Sequence, residues 1–445
     1  MSAAPRPIGM REYARRRREL MRLAGGDAAI LLAAAPPRLR NGDTYWPYRQ
    51  DSDFLYLTGC DEPQAVLVLL PGRRAGQSVL FCRERDATAE RWDGDWLGPE
   101  DAVRVLGVDD AFPIADIDDI LPGMLEGRAR LYCHFGREAA FDAQLLAWLR
   151  RLRAPPGAAR APQEMLALSH LLHELRLFKS PAELALLREA ARIGMDAHRA
   201  AWSALRPGVQ EHAIESAFLH AVRSAGACAS YPPIVAGGRN ACVLHYARND
   251  APLRAGDLLL LDAGAEWQGY ASDITRTVPV DGRFSAAQRA LYRLVLEAQQ
   301  AALACIRPGR SWEAFHLAAR EVLVAGLCAL GLLAGTAQQA LARGDYRRYF
   351  PHKTGHWLGL DVHDAGDYRI QGEPRLLEPG MVLTVEPGLY VAPDEALAPA
   401  RYRGIGIRIE DDVLVTADGA DVLTAALPRH ADALEDALAQ ARAAR

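Results

Sequence analysis

The chain has 445 residues, half of them hydrophobic, and a formal net charge of −4. That length predicts two or three domains with a sizeable core. The small net charge gives no reason to expect nucleic-acid or membrane partners. Cys60, Cys82, Cys133, Cys228, Cys242, Cys305 and Cys328 are dispersed without a CxxC pair, which suits free thiols in a reducing compartment.

No run approaches the roughly 18 apolar residues of a membrane span. Arg15 to Arg18 followed by Ala28 to Ala35 loosely imitates a signal peptide, but Glu12, Glu19 and Asp27 interrupt it. The stretch reads instead as a basic amphipathic helix leading into a strand, which places the protein in the cytoplasm. Residues 10–24 read as that helix and Ala28 to Ala34 as the strand. Residues 42–60 are aromatic and polar. Ala65 to Leu70, Ser78 to Cys82 and Arg128 to His134 read as strands, with a helix over 138–152. Strands alternating with helices predict an α/β domain. It carries no catalytic motif and reads as a structural or oligomerising domain. Residues 154–163, APPGAARAPQ, read as a linker, so domains are expected at 1–170 and 171–445.

The second domain opens on a capping box, Ser180-Pro181-Ala182-Glu183, and contains an internal repeat. Leu205-Arg-Pro-Gly208 and Ile306-Arg-Pro-Gly309 each open a helical stretch, ending near Gly226 and Gly331. LRAGDLLLLDAG (253–264) aligns without a gap on LEPGMVLTVEPG (377–388), setting Asp262 on Glu386. Asp273, 11 residues after Asp262, has its counterpart in Glu410 of IGIRIEDDVLV. Val243-Leu244-His245 likewise resembles Asp361-Val362-His363. Two related α-β halves are expected to pack about a pseudo-twofold axis, each bringing two carboxylates and a His to a shared centre. The apolar run before Asp262 reads as a buried strand, and Gly264 to Gly269 as the turn into a second one.

Four acids buried in one pocket without cations would be very costly, so the pattern points to metal. His352, His356 and His363 fall within 12 residues. A set of Asp262, Asp273, Glu386, Glu410 and one His is oxygen-rich and suits Mn, Co or Zn. Four carboxylates offset two dications, and such a pair lowers the pKa of a shared water towards about 7. The reaction class is hydrolysis of a peptide or ester. Spare histidines serve to stabilise the carbonyl oxygen or protonate the leaving nitrogen.

Together VLHYARND (243–250), LLLLDAGAEWQGYASDITRT (258–277), HKTGHWLGLDVHD (352–364), VLTVEPGLYV (382–391) and GIGIRIEDDVLVT (404–416) resemble the pita-bread metallopeptidases. The likeness is to Xaa-Pro aminopeptidase (aminopeptidase P) of bacterial type. TYWPYRQDSDFLYLTGCDEPQAVLVL (44–69) extends the likeness to nearly the whole chain. The resemblance implies an N-terminal α/β domain followed by a pseudo-twofold pita-bread domain. It implies that Asp262, Asp273, His356, Glu386 and Glu410 hold two divalent ions, most often Mn2+, with Asp273 and Glu410 bridging. A hydroxide bridging the metals would then hydrolyse the N-terminal Xaa-Pro bond. His245, His352 and His363 would be the non-ligand histidines, Glu386 also a proton shuttle, and Arg408 a partner of the acids behind the metals. A homotetramer or dimer is implied, its N-terminal domain pairing subunits and limiting access, with Trp92 a candidate to reach a neighbour's site. In one departure, family members commonly carry Gly after the first His of HxxxH, where this chain has Lys353; the departure bears on the pocket's charge or lid.

Prolidase, a dipeptidase of the same fold, is the nearest alternative; the N-terminal match and Trp357-Leu358-Gly359 favour aminopeptidase P. Methionine aminopeptidase usually lacks such an N-terminal domain. Creatinase-like enzymes lack the complete ligand set. A non-catalytic pita-bread module binding histones, RNA or another protein is the alternative of a different class, and such relatives lose ligands.

Overall fold

The computed structural model describes residues 7–154 and 161–443. Of the expected linker, residues 155–160 lie outside the described residues. The described residues form two compact units, one up to Arg176 and one from Leu177 onward.

The first unit is built on a mixed sheet of β1 (Ala28–Ala33), β2 (Val66–Leu69), β3 (Ser78–Cys82), β4 (Asp110–Pro113), β5 (Arg130–Cys133) and β6 (Glu164–Ala167), in the order β4-β3-β2-β1-β5-β6. Its central strands read as unbroken apolar runs because both faces are covered. Beyond α1 (Met10–Ala24), helices α2 (Ile117–Leu125) and α3 (Ala139–Arg153) pack through Leu121, Leu125, Trp148 and Leu149. The edge strands β4 and β6 were not expected. They are short and only partly buried or exposed, so no hydrophobic pattern announces them. The carboxylate of Asp53 is fully buried, with Arg176 Nη1 at 2.7 Å and the Nε2 atoms of His134 and His173 at 2.9 and 3.2 Å. The Arg176 bond ties helix Ser169–Leu177 to this unit, and the compact units divide after Arg176.

The second unit repeats one plan twice. In the first half, α4 (Pro181–Ala204) and α5 (Glu211–Ser224) precede the ribbon of β8 (Leu258–Asp262), β9 (Ala265–Trp267), β10 (Tyr270–Ala271) and β11 (Thr275–Pro279), with β7 (Ile234–Gly237) alongside β8. In the second half, α6 (Ala286–Cys305) and α7 (Trp312–Ala329) precede β12 (Val382–Val385), β13 (Gly388–Val391), β14 (Ile405–Arg408) and β15 (Asp411–Val415). The first helix of each half starts in a capping box, Ser180 with Glu183 and Ser285 with Gln288. The repeat extends to single hydrogen bonds. Gly208 N donates to Leu253 O at 2.7 Å, and Gly309 N to Leu377 O at 2.9 Å. Both glycines hold positive φ, 86° and 78°, a conformation that suits glycine.

Each ribbon is one long antiparallel pair with a break in it. β8 faces β11 with Asp262 opposite Thr275, and β9 faces β10 with Glu266 opposite Ala271, in continuous register. The expected turn over Gly264 to Gly269 is shorter than the sequence suggests. Ala265 to Trp267 extend as a strand, and only Gln268 and Gly269, both at positive φ, make the reversal. In the second half, Val385 faces Asp411 and Gly388 faces Arg408, again in one register across a break. The ribbons are joined by fully buried Arg276 of β11. It donates to the Glu410 carbonyl at 2.5 Å and pairs with Asp411 at 2.7 Å.

Candidate metal centre and active site

The acids sit at the two ribbon breaks. Asp262 ends β8, and Asp273 lies in the break before β11, not on a strand as the sequence suggested. Because Asp273 stands two residues from Thr275, the partner of Asp262, both acids share one face of the ribbon as diagonal neighbours. Glu386 follows β12, and Glu410 lies between β14 and β15. Carrying the register through the break sets these two directly opposite. The halves therefore present their acid pairs with different offsets.

His356 comes from a segment running beside β12. Glu386 N donates to Thr354 O at 2.8 Å, Thr384 N to His356 O at 2.9 Å and Leu358 N to Val382 O at 3.0 Å. The His356 ring is oriented by Nδ1–H, which donates to the Trp357 carbonyl at 2.9 Å. Its Nε2 then faces Asp273 at 3.3 Å and Glu386 at 3.7 Å. Donor atoms of Asp273, His356 and Glu410 all lie within 4.8 Å of one another.

Three residues not singled out in the sequence complete the centre. The Tyr231 hydroxyl contacts carboxylate oxygens of both Asp262 and Asp273, and its single proton can serve only one at a time. Thr275 donates through Oγ1 to Glu410 at 2.7 Å and accepts Glu410 N at 3.1 Å. Tyr390 accepts from Arg408 Nη1 at 2.8 Å, while Arg408 Nη2 pairs with Asp262. The one signal for Tyr231 is its place before Pro232-Pro233, where a stiff chain presents a polar aromatic at the mouth of β7.

Burial pushes the carboxyl of Asp262 up, that of Glu386 to about 7 and that of Glu410 well above its ordinary range, and mutual repulsion adds to this. Asp273 goes down instead. Burial works against its charge, but the hydrogen bond and charge of His356 outweigh it. Burial also opposes charge on His356, yet Asp273 and Glu386 raise it to about 9. Protons thus stand where cations would satisfy the acids better. The donor chemistry fits a metal: carboxylates around an imidazole whose Nδ1–H is fixed by a carbonyl and whose Nε2 faces them.

These residues line a cavity of about 830 Å³, which also takes in His245, His352, His363, Lys353 and Arg408. The three spare histidines are not equivalent. His352 is occupied on both nitrogens, by the Lys353 carbonyl at 2.6 Å and the Tyr390 hydroxyl at 2.9 Å, and burial pulls its pKa down to about 4. Burial and the neighbouring His356 lower His363 as well. The ring of His363 stands edge-on to His356 at 4.2 Å. Trp92, in the first unit, is 87% exposed.

The sequence matches metallopeptidase family M24 over residues 185–417, and the aminopeptidase P N-terminal domain over residues 13–132. Escherichia coli Xaa-Pro aminopeptidase is 44% identical over 440 residues, 98% of this chain and 99% of that protein. The Haemophilus influenzae enzyme of the same name is 41% identical over 426 residues, 96% of each. Among solved structures, Pseudomonas aeruginosa aminopeptidase PepP is similar with a TM-score of 0.97 at 50% identity, covering 98% of this chain and 99% of that one. A zinc-substituted E. coli aminopeptidase P in complex with product is similar with a TM-score of 0.95 at 44% identity, covering 98% and 100%. The chain belongs to metallopeptidase family M24, and within it to the group of Xaa-Pro aminopeptidases. It is a metallo-aminopeptidase with a metal-binding cluster of Asp, His and Glu, and these relatives favour it over prolidase and over a non-catalytic module. Among the described residues no helix is long and apolar enough to cross a membrane.

Proposed function

We propose that the protein releases the N-terminal residue from peptides with proline second, using two divalent ions, Mn2+ by preference. The observation that carries this is the convergence of Asp262, Asp273, His356, Glu386 and Glu410 on one cavity. In this reading Asp262, Asp273, His356, Glu386 and Glu410 would be the residues that hold the ions. When bound, the metal polarises the scissile carbonyl and lowers the pKa of water towards about 7.

The chain's own groups do the rest. Glu386, at the ribbon break beside His356, is suited to take a proton from water and return it to the leaving nitrogen. With both nitrogens of His352 engaged, the donors free to meet substrate are His245 and His363, which have no hydrogen-bond partner among the described residues. They line the cavity from the corresponding loops of the two halves and are placed to hold the carbonyl oxygen and the leaving amide. Arg408 and Tyr390 fix Asp262 and His352 from behind. Lys353 forms no ion pair among the described residues and adds a positive charge to the cavity wall.

The family likeness and the separate first unit support a homotetramer or dimer whose N-terminal domain limits access, with Trp92 exposed for such contact. Seven free cysteines support a cytoplasmic setting. A substrate-length series tests the activity. Xaa-Pro tripeptides and longer peptides are expected to be cut in Mn2+, and cleavage confined to dipeptides would make the enzyme a prolidase.

A further inference from the structure

The breaks that hold the acids also leave backbone carbonyls turned towards the helix layer, and each half meets them with one buried donor. In the first half, His198 of α4 is fully buried. Its Nε2 lies 3.0 Å from the carbonyl of Ala263 and 3.1 Å from that of Ile274. Those are the residues directly after Asp262 and Asp273. In the second half, Gln299 of α6 is also fully buried. Its Nε2 lies 3.3 Å from each of the carbonyls of Val385 and Ile409, and 2.9 Å from Asp411 Oδ2. Val385 and Ile409 directly precede Glu386 and Glu410.

Only acceptors face these nitrogens. His198 must therefore carry a proton on Nε2, and Gln299 must present its NH2 group; burial pulls the His198 pKa down to about 3, so its ring is neutral. The ring of His198 is held edge-on by Phe218 at 5.5 Å and Trp202 at 6.4 Å, and its Nδ1 has no partner. Helix α4 comes close to the break. A Cβ on Gly194 would lie 2.9 Å from Ser272 Oγ, and that hydroxyl donates to the Ala190 carbonyl at 3.2 Å. Two unlike residues on corresponding helices thus each bridge the two strands of an interrupted ribbon, His198 between opposed residues and Gln299 between diagonal ones.

We infer that His198 and Gln299 are positioning residues for metal binding, each clamping the two strands of a broken ribbon so that its acid pair keeps one spacing. The inference rests on the metal reading above. Partners one step behind the ligands typically change metal affinity by about 10–100-fold when removed.

The test is calorimetric titration of metal-free protein with Mn2+, which needs no turnover. His198→Phe and Gln299→Met, near-matched in shape but without a donor, are expected to weaken Mn2+ binding at least tenfold. His198→Gln, which restores a donor, is expected to recover most of it. Leu327→Ala, a core truncation on α7, serves as the control for plain destabilisation and is expected to lower the melting temperature while leaving Mn2+ affinity unchanged. At saturating Mn2+ the two donorless variants should lose kcat more than they raise KM. Should His198→Phe not fold, His198→Asn, with its shorter reach, is read in its place. Affinities within twofold of the parent, or a loss matched by Leu327→Ala, overturn the inference alone. A parent chain that takes up no Mn2+ overturns the metal reading and this inference together.

Discussion

Replacing Gly355 by alanine tests how rigidly His356 is held. A Cβ at 355 would lie 2.1 Å from the Thr384 carbonyl oxygen and 3.0 Å from its carbon. The clash is with backbone of β12, so no side chain can swing away. Restoring an ordinary contact of about 3 Å requires the two segments to part by roughly 1 Å. The bonds that set the spacing are short, including Glu386 N to Thr354 O at 2.8 Å and Thr384 N to His356 O at 2.9 Å. Both run between His356's segment and the strand leading to Glu386, so any parting separates His356 from Glu386. Overpacking of this kind costs about 1–3 kcal/mol, and a misplacement of about 1 Å at reacting groups costs on the order of 100-fold in rate. We therefore expect Gly355→Ala to fold, to melt a few degrees lower, and to lose about two orders of magnitude in kcat/KM on an Xaa-Pro tripeptide in saturating Mn2+. A folded variant with turnover within threefold of the parent would refute the reasoning, since it would mean that His356 tolerates the shift.

Asp273→Asn removes the acid of the cluster whose carboxyl is held below its ordinary range, chiefly by the hydrogen bond and charge of His356; a peptidase assay in saturating Mn2+ should show hydrolysis near background, and near-normal turnover would sink the metal assignment. Chelation should abolish activity and lower the melting temperature, because a ligand at about 100 times its Kd adds roughly 2.7 kcal/mol to folding; a scanning-calorimetry trace unchanged by the chelator would count against it. In the first unit, Asp53→Asn should cost about 3–5 kcal/mol at neutral pH by removing the buried charge that Arg176, His134 and His173 share. The carboxyl of Asp53 titrates well below its ordinary 3.8, since the histidine bonds and Arg176 outweigh burial. Its stabilisation is therefore complete above about pH 4 and is lost as pH falls below that. Melting curves of parent and variant should converge in acid, and a gap that stays constant down to pH 2 would contradict this.

Much of the centre was legible because its parts are local and apolar in context. Four leucines ending in Asp262, and VLTV ending in Glu386, announce buried strands whose ends carry charge. The HKTGHWLGLDVHD stretch crowds histidines where no amphipathic helix can form. The spacing within the repeat sets acid against acid. What escaped depends on register and on distance in the chain. The interruption at 263–264 leaves no mark, because Ala263 and Ala265 are as apolar as strand residues. Tyr231 reaches Asp273 from 42 residues away, and Thr275 looks like any other threonine in a strand. The edge strands β4 and β6 are half-exposed and carry no alternation. The division after Arg176 turns on a bond to Asp53, 123 residues distant.

The seam between the two ribbons also records how far the halves have diverged. Aligning Asp273 with Glu410 sets Arg276 against Val413 and Asp411 against Ile274, so the buried ion pair has an apolar mirror image. Two identical copies of the first half would bring Arg276 to a seam that offers isoleucine in place of Asp411, whereas Asp411 also keeps Arg429 of its own half at 2.9 Å. A first half without its second would bury Arg276 with no carboxylate at the seam, so the dependence sealed by Arg276 and Asp411 runs in one direction.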